Sequence, residues 1–301
     1  MPASRFRVGV ALLAVYLIWS STYLAQHVGL GAFPPMRMAG LRFLLAGSLL
    51  FAWLRFRGAK TPSWPQWRGA ALLGFLMPAL GNGGVAFAQQ WISSGFAALA
   101  VATVPLWAAL FSGLFGRWPS RMEWLGLVLG ALGVGLLRGD HSLQGHPLGV
   151  LALVIATTGW ALGSVLTERV TAPSGLMSSA AQMLWAGVYL SGASVLVGEH
   201  FIATPGPKHL LAVTYLIVFG SIVAYSAYTF LLKSVRPTLA TSYALVNPAL
   251  ALLLGAVFLE EHVTLDALGA VALILSGVAL VLFGPQGPPE KTACRTDTAS
   301  N

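Results

Sequence analysis

Tyr16, Trp19, Tyr23 and Gln26 follow one another at steps of three, four and three, which puts them on one face of a helix. Tyr and Trp each offer a flat apolar surface with one hydrogen-bonding group, so they can hold a small amphipathic molecule without breaking bonds. A second stripe occurs at the matching place in the other half of the chain: Thr157, Trp160, Ser164 and Thr167, with Trp160 in the place of Trp19. Two such stripes facing each other would line a binding cavity. The same residues could instead knit helices together, and Tyr16 and Gln26 could also anchor at a membrane interface.

Further candidates have the same character. The offset that carries Pro105 onto Pro248 also carries Asn82 onto Tyr225. Tyr243 and Asn247 are spaced i and i+4 just before Pro248, and Trp107 closely follows Pro105. A proline inside a helix frees the carbonyl one turn earlier, here at Val101 and Ala244. That carbonyl needs a neighbour, water or a substrate, so Pro105 and Pro248 read either as packing kinks or as hinges beside a cavity. Arg42, in the run PPMRMAGLRFLLAGSLLFAWL (34–54), is the one cation inside an apolar stretch. It could snorkel to the outer interface, or line the outer half of the cavity and hold a carboxylate in its planar fork. Its counterpart in the second half is Gln182 or Met183, so the charge is not repeated.

The acidic residues limit the chemistry. Glu123, Asp140, Glu168, Glu199, Glu260, Glu261, Asp266, Glu290 and Asp297 all fall in loops, at the ends of apolar runs or near the C-terminus. None sits where a proton- or sodium-coupled carrier commonly keeps a carboxylate; Glu168 and Asp266 are the only candidates for coupling. Asp140, His141 and His146 are the only grouping an enzyme could use. No GxxxxGK[ST] phosphate loop occurs. The single cysteine, Cys294, excludes an intrachain disulfide and a multi-cysteine metal site. Neither a metal nor a cofactor is expected.

Only a membrane can position these residues. The 301 residues are 56% hydrophobic and 9% charged, too few charges to cover a water-exposed surface. The +8 charge does not indicate nucleic acid, because the basic residues punctuate apolar runs instead of clustering. Ten candidate spans read roughly 8–29, 35–54, 67–90, 94–116, 122–137, 147–167, 174–198, 208–232, 237–259 and 263–283. The first is read as a retained helix and not as a cleaved signal. With a cytoplasmic N-terminus, 13 Lys and Arg residues fall inside, three outside and Arg42 within a span, so both termini are expected in the cytoplasm.

The chain also repeats itself. One constant offset lays Phe87 on Phe230, Ala97 on Ala240, Pro105 on Pro248, Ala108 on Ala251, Phe115 on Phe258 and Gly126 on Gly269. Five spans per half reverse the second half's orientation. The predicted fold is therefore an all-α integral membrane protein of ten transmembrane helices in two inverted five-helix repeats. The repeats cover 1–139 and 140–283, followed by a disordered cytoplasmic tail, 284–301. Secondary transporters commonly use such a plan, with the substrate near the midplane between halves. Glycines 126, 130, 133, 255, 269 and 277 are expected at close helix contacts.

The stretches IWSSTYLAQ (18–26), LRFLLAG (41–47) and NPALALLLGAVFLEEHVTLDALGAVALILSGVALVL (247–282) resemble the drug/metabolite transporter superfamily, EamA type. The nearest group is the YddG-type amino-acid exporters. One departure stands out: Leu259-Glu260-Glu261 has Gly116-Arg117-Trp118 as its counterpart, a difference the positive-inside rule accounts for. The resemblance implies a multi-pass protein of the bacterial inner membrane. It would export amino acids, aromatic or other neutral ones, and related metabolites by alternating access. With no mid-span carboxylate, the transport is expected to be uncoupled facilitated transport or exchange. A multidrug or lipid-translocating carrier of the same fold is the main alternative, and a membrane-embedded lipid-modifying enzyme a remote one. The expected partners are a small-molecule substrate and membrane lipid, with the chain a monomer or weak dimer.

Overall fold

Prolines and glycines punctuate the chain where the helices begin and end. The computed structural model describes residues 4–92, 97, 100–136, 146–258 and 265–283. The expectations for Asp140 and His141, for Leu259-Glu260-Glu261 and for the tail 284–301 lie outside the described residues. The helices are α1 (Arg5–Leu30), α2 (Pro35–Phe56), α3 (Trp64–Ala88), α4 (Val104–Leu114), α5 (Arg121–Leu136), α6 (Pro147–Leu166), α7 (Leu176–Leu196), α8 (Pro207–Ser234), α9 (Tyr243–Phe258) and α10 (Leu265–Phe283). A single helical turn, Pro237–Ala240, precedes α9. No strand occurs among the described residues.

Helices α2, α3, α4, α6 and α8 each carry a proline in their first positions, where a missing N–H costs no intrahelical bond. Helices α2, α4 and α7 end on Gly58, Gly116 and Gly198, all with positive φ. In each case the next residue's N–H turns back to a helical carbonyl: Ala59 to Leu54, Arg117 to Ser112 and Glu199 to Ser194. This is the glycine-dependent end that satisfies the last carbonyls.

Helices α1, α2, α3, α6 and α8 are long and apolar enough to cross a membrane. Helix α7 is long enough, but Ser178, Ser179 and Gln182 reduce its hydropathy, and all three are buried against neighbours. The outward faces carry exposed Leu24, Leu49, Leu196 and Leu211, a surface that lipid tolerates and water does not.

The principal helix contacts recur when each first-half helix is exchanged for the one five positions later. Helix α2 lies along α7, and α5 along α10. Helix α1 packs on α8 as α6 packs on α3; α1 meets α9 as α6 meets α4; α2 meets α8 as α7 meets α3. Small residues allow the closest crossings. A Cβ on Gly277 would stand 2.5 Å from the Gly126 carbonyl oxygen, and one on Gly187 would stand 2.6 Å from the Leu44 nitrogen. Gly130 is similarly tight against Leu245, whereas Gly269 faces open space and makes no close contact.

Helices α3 and α8 both widen midway into π-helix, over Phe75–Gly83 and Leu216–Val223. The two segments occupy matching places in the two halves, and π-helical turns recur at functional sites because they re-aim backbone and side chains.

Candidate binding cavity

Between the halves lies an open cavity of about 570 Å³, solvent at its mouth included. Helix α1 contributes Trp19, Thr22, Tyr23 and Gln26, the widened part of α3 contributes Gly81 and Asn82, and Val85 follows just beyond it. Val101 and Val104, at the entry to α4, and Ala156, Thr157 and Trp160 of α6 form two more walls, and α9 adds Tyr243 and Asn247. These positions place the cavity toward the C-terminal ends of α1 and α3 and against the middle of α6. At the rim, Gln26 Nε2 donates to Gln89 Oε1 at 2.7 Å.

The floor is aromatic. The Trp19 ring lies 5.5 Å from that of Trp160, 4.5 Å from Tyr243 and 5.1 Å from Tyr228. Edge-on and tilted rings at such distances attract one another beyond their buried area. Hydrogen bonds fix their orientation. Trp160 Nε1 donates to the Tyr228 hydroxyl at 3.0 Å. That hydroxyl lies 2.6 Å from Ser164 Oγ, which donates to the Trp160 carbonyl at 2.6 Å. Trp19 Nε1 donates to the Gly220 carbonyl, in the π-helical part of α8, at 3.1 Å. Beneath the floor the Tyr16 hydroxyl pairs with Ser242 Oγ at 2.6 Å, so Tyr16 is not an interfacial anchor.

Asn247 has one side-chain atom to spare. Ser20 Oγ, with a single proton to give, lies 2.6 Å from the Tyr16 carbonyl and 2.9 Å from Asn247 Oδ1. Asn247 Nδ2 is buried beside the Tyr23 hydroxyl without a well-formed hydrogen bond. A buried amide facing a cavity without a well-formed bond costs free energy until something fills it.

Arg42 neither snorkels nor lines the cavity. It is 3% exposed; its Nε donates to Ser221 Oγ at 2.7 Å, and its Nη1 approaches Asn82 Oδ1 at 3.5 Å. It therefore sits one residue behind the wall. Tyr225 is also set back, donating to Gln182 Oε1 at 2.6 Å while Gln182 Nε2 donates to Ser178 at 2.9 Å. Ser164 belongs to the underside of the floor.

Of the sequence candidates, Trp19, Tyr23, Gln26, Asn82, Thr157, Trp160, Tyr243 and Asn247 come together on the cavity wall. Trp107 does not: it is half-buried on α4, stacked on Phe111 at 6.3 Å. Pro105 lies in the first turn of α4, just after a break at residues 102–103 that follows helical residues 100–101, whereas Pro248 lies inside α9. Sequence reasoning missed Thr22, Gly81 and the small apolar wall residues, which carry no distinguishing signal. It also missed the fully buried Tyr228, although its place three residues after Tyr225 puts both on one helical face.

The opposite end is closed by charge. Arg236 Nη1 meets Glu123 Oε2 at 2.8 Å, and Arg117 pairs with Glu168. Arg169 donates to the Phe115 carbonyl at 2.9 Å, its guanidinium lying over that ring. Each contact joins residues 115–123 of the first half to residues 168, 169 or 236 of the second. Among the described residues no carboxylate lines the cavity, and no group of three His, Cys, Asp or Glu could hold a metal ion.

The sequence pattern of the EamA-like transporter family matches this chain twice, at residues 7–139 and 147–283. The Escherichia coli K12 protein named "Uncharacterized inner membrane transporter YedA" is 45% identical, over 93% of this chain and 92% of its own length. The "Probable amino-acid metabolite efflux pump" of the same strain is 26% identical, over 92% of this chain and 95% of its own. Protein PecM of Dickeya dadantii is 28% identical, over 88% of each. A solved crystal structure superimposes with a TM-score of 0.75 at 24% identity, covering 91% of this chain and 96% of its own. At that identity it shows the shared fold alone.

Proposed function

Because the chain belongs to the EamA-like transporter family, we propose that it is a secondary transporter of the bacterial inner membrane exporting amino acids and related metabolites by alternating access. The observation that carries this reading is the cavity between the halves, with its aromatic floor and the incompletely bonded Asn247 amide. An aromatic or other neutral amino acid matches those surfaces: an apolar side chain for the rings and a polar end for the amides. The names of the inner-membrane transporter and of the amino-acid metabolite efflux pump agree with it.

The proposed topology is ten spans in two inverted repeats, 1–139 and 140–283, with both termini cytoplasmic. The exchange symmetry of the helix contacts supports it, as do the paired π-helical segments. In that orientation the cavity opens outward and the ion pairs close the cytoplasmic end. Reporter fusions at residues 60 and 140 should report opposite sides; the same side for both would refute the topology.

Transport is proposed to run down the substrate gradient, because no carboxylate among the described residues faces the cavity and Glu168 is engaged by Arg117. One chain encloses the whole cavity, so a monomer suffices. The deciding experiment uses proteoliposomes preloaded with phenylalanine, tryptophan or leucine. Downhill efflux and counterflow are expected, with no accumulation driven by a pH gradient alone. Movement of cationic drugs without movement of amino acids would overturn the reading in favour of a multidrug carrier.

A further inference from the structure

Arg42 is a charge without a counter-charge. Burying an ionised guanidinium in a membrane span is costly, and buried charges are ordinarily paired. Among the described residues no carboxylate pairs with Arg42; its polar contacts are neutral, Ser221 and Asn82. The surroundings are shaped to admit it: Gly220 lies so close that a Cβ there would stand 2.8 Å from Arg42 Nη2.

We propose that Arg42 is a positioning residue that makes the cavity selective for substrates bearing a carboxylate, acting through Asn82. The argument begins with hydrogen-bond inventory. A guanidinium has donors only, so the Asn82 atom that faces it at 3.5 Å is the acceptor, Oδ1. The amide nitrogen, with both of its N–H groups, is thereby turned away from Arg42. Asn82 itself is on the cavity wall. The wall therefore offers donors there, polarised by a cation directly behind them that is itself buried out of reach of counterions. A carboxylate accepts such bonds and supplies the missing negative charge. An ammonium can do neither.

This inference rests on the export reading only in taking the cavity as the substrate site, and three ligands separate the two. The full chain, purified in detergent, is titrated with phenylalanine, with phenethylamine, which lacks the carboxylate, and with 3-phenylpropionate, which lacks the amine. The two carboxylates should bind at least tenfold more tightly than phenethylamine. Arg42→Gln should reduce that ratio to below threefold. Arg42→Lys should restore it in part, since an ammonium keeps the charge but cannot reach Ser221 and Asn82 together. Asn82→Ala, an uncharged truncation that spares Arg42, should also abolish the ratio and guards against failure of the arginine variants to insert.

A merely structural Arg42 would weaken all three ligands together and leave the ratio unchanged; that result overturns the proposal. So does equal binding of phenylalanine and phenethylamine by the unmodified protein, which leaves amino-acid export standing. Tight binding of phenylpropionate without phenylalanine does the reverse, sustaining the carboxylate selectivity and sinking amino-acid export.

Discussion

Arg42 with Asn82 and Gln182 with Tyr225 are the same contact made twice. Of the two counterparts of Arg42 in the repeat, Gln182 and Met183, it is Gln182 that meets Tyr225, which stands in the place of Asn82. In the first half the pair carries a charge, and its Asn82 end reaches the cavity. In the second half it is neutral and closed: the Tyr225 hydroxyl donates to Gln182, and both residues are buried away from the cavity. The tryptophans differ in the same way. Trp19 donates to a backbone carbonyl of α8, whereas Trp160 donates to the Tyr228 hydroxyl. The halves thus share their steric plan and diverge in polar chemistry. A carrier that works by exchanging the roles of its halves needs the first; selecting a substrate needs the second.

The shared plan should be the most sensitive to substitution. Gly277→Val forces a side chain into the α5–α10 crossing, where the nearest atom is the Gly126 carbonyl oxygen, which cannot step aside. Overpacking of this kind typically costs about 1–3 kcal/mol and sometimes more. Thermal unfolding in detergent should show a large loss. Gly269→Ala, with nothing within 4 Å of the added carbon, should leave the melting temperature where it was. Equal losses would mean that the crossing is not set by these glycines.

The next effect separates the two polar pairs. Tyr225→Phe leaves Gln182 Oε1 buried without its donor, at a cost of about 1–3 kcal/mol. The melting temperature should fall while the preference of phenylalanine over phenethylamine stays. Asn82→Ala should do the opposite. If Tyr225→Phe also erased the preference, the second pair would belong to the substrate site in this conformation.

The tryptophans give a smaller contrast. Trp160→Phe keeps an aromatic ring and leaves the Tyr228 hydroxyl its bond to Ser164. Trp19→Phe removes a donor from Gly220, in a π-helical stretch where the ordinary ladder is interrupted. Trp19→Phe should be the less stable of the two by about 1 kcal/mol, the typical net worth of one such bond. Equal stability would show the Gly220 bond to be incidental.

The fold was legible because its signals are local. Prolines mark helix starts, positive-φ glycines mark ends, and apolar runs give lengths. Eight cavity residues were legible because a polar or large aromatic side chain in a span must turn toward protein. What failed depends on helix rotation. Trp107 has the right chemistry, but α4 directs it onto Phe111 and away from the cavity. Pro105 looked like the equivalent of Pro248, yet α4 begins only at Val104, so the same residue starts a helix in one half and lies inside one in the other. Arg42's position behind Asn82 depends on the packing of α2, α3 and α8, which no spacing rule encodes.

The smallest effect on stability concerns the charged end, where the two halves close on one another. Arg236 is 37% exposed along its side chain and Glu123 only 6%. Removing Arg236, the partly exposed member of the pair, is expected to cost about 1 kcal/mol, the upper end for exposed ion pairs, with Glu123 keeping the Ser120 N–H at 2.7 Å. Even that much matters to a two-state equilibrium: about 1 kcal/mol shifts the populations about fivefold. In the proposed cycle the pair holds this end shut, so Arg236→Ala should favour the form open at the end proposed to be cytoplasmic. The measurement is thiol labelling from the cytoplasmic side of a cysteine placed at Thr241, which is fully buried, in a Cys294→Ser background. Labelling should accelerate several-fold in Arg236→Ala with the melting temperature nearly unchanged. Unaltered labelling would mean that packing alone holds the end closed. Acceleration accompanied by a large drop in melting temperature would indicate local unfolding and no shift between two folded states.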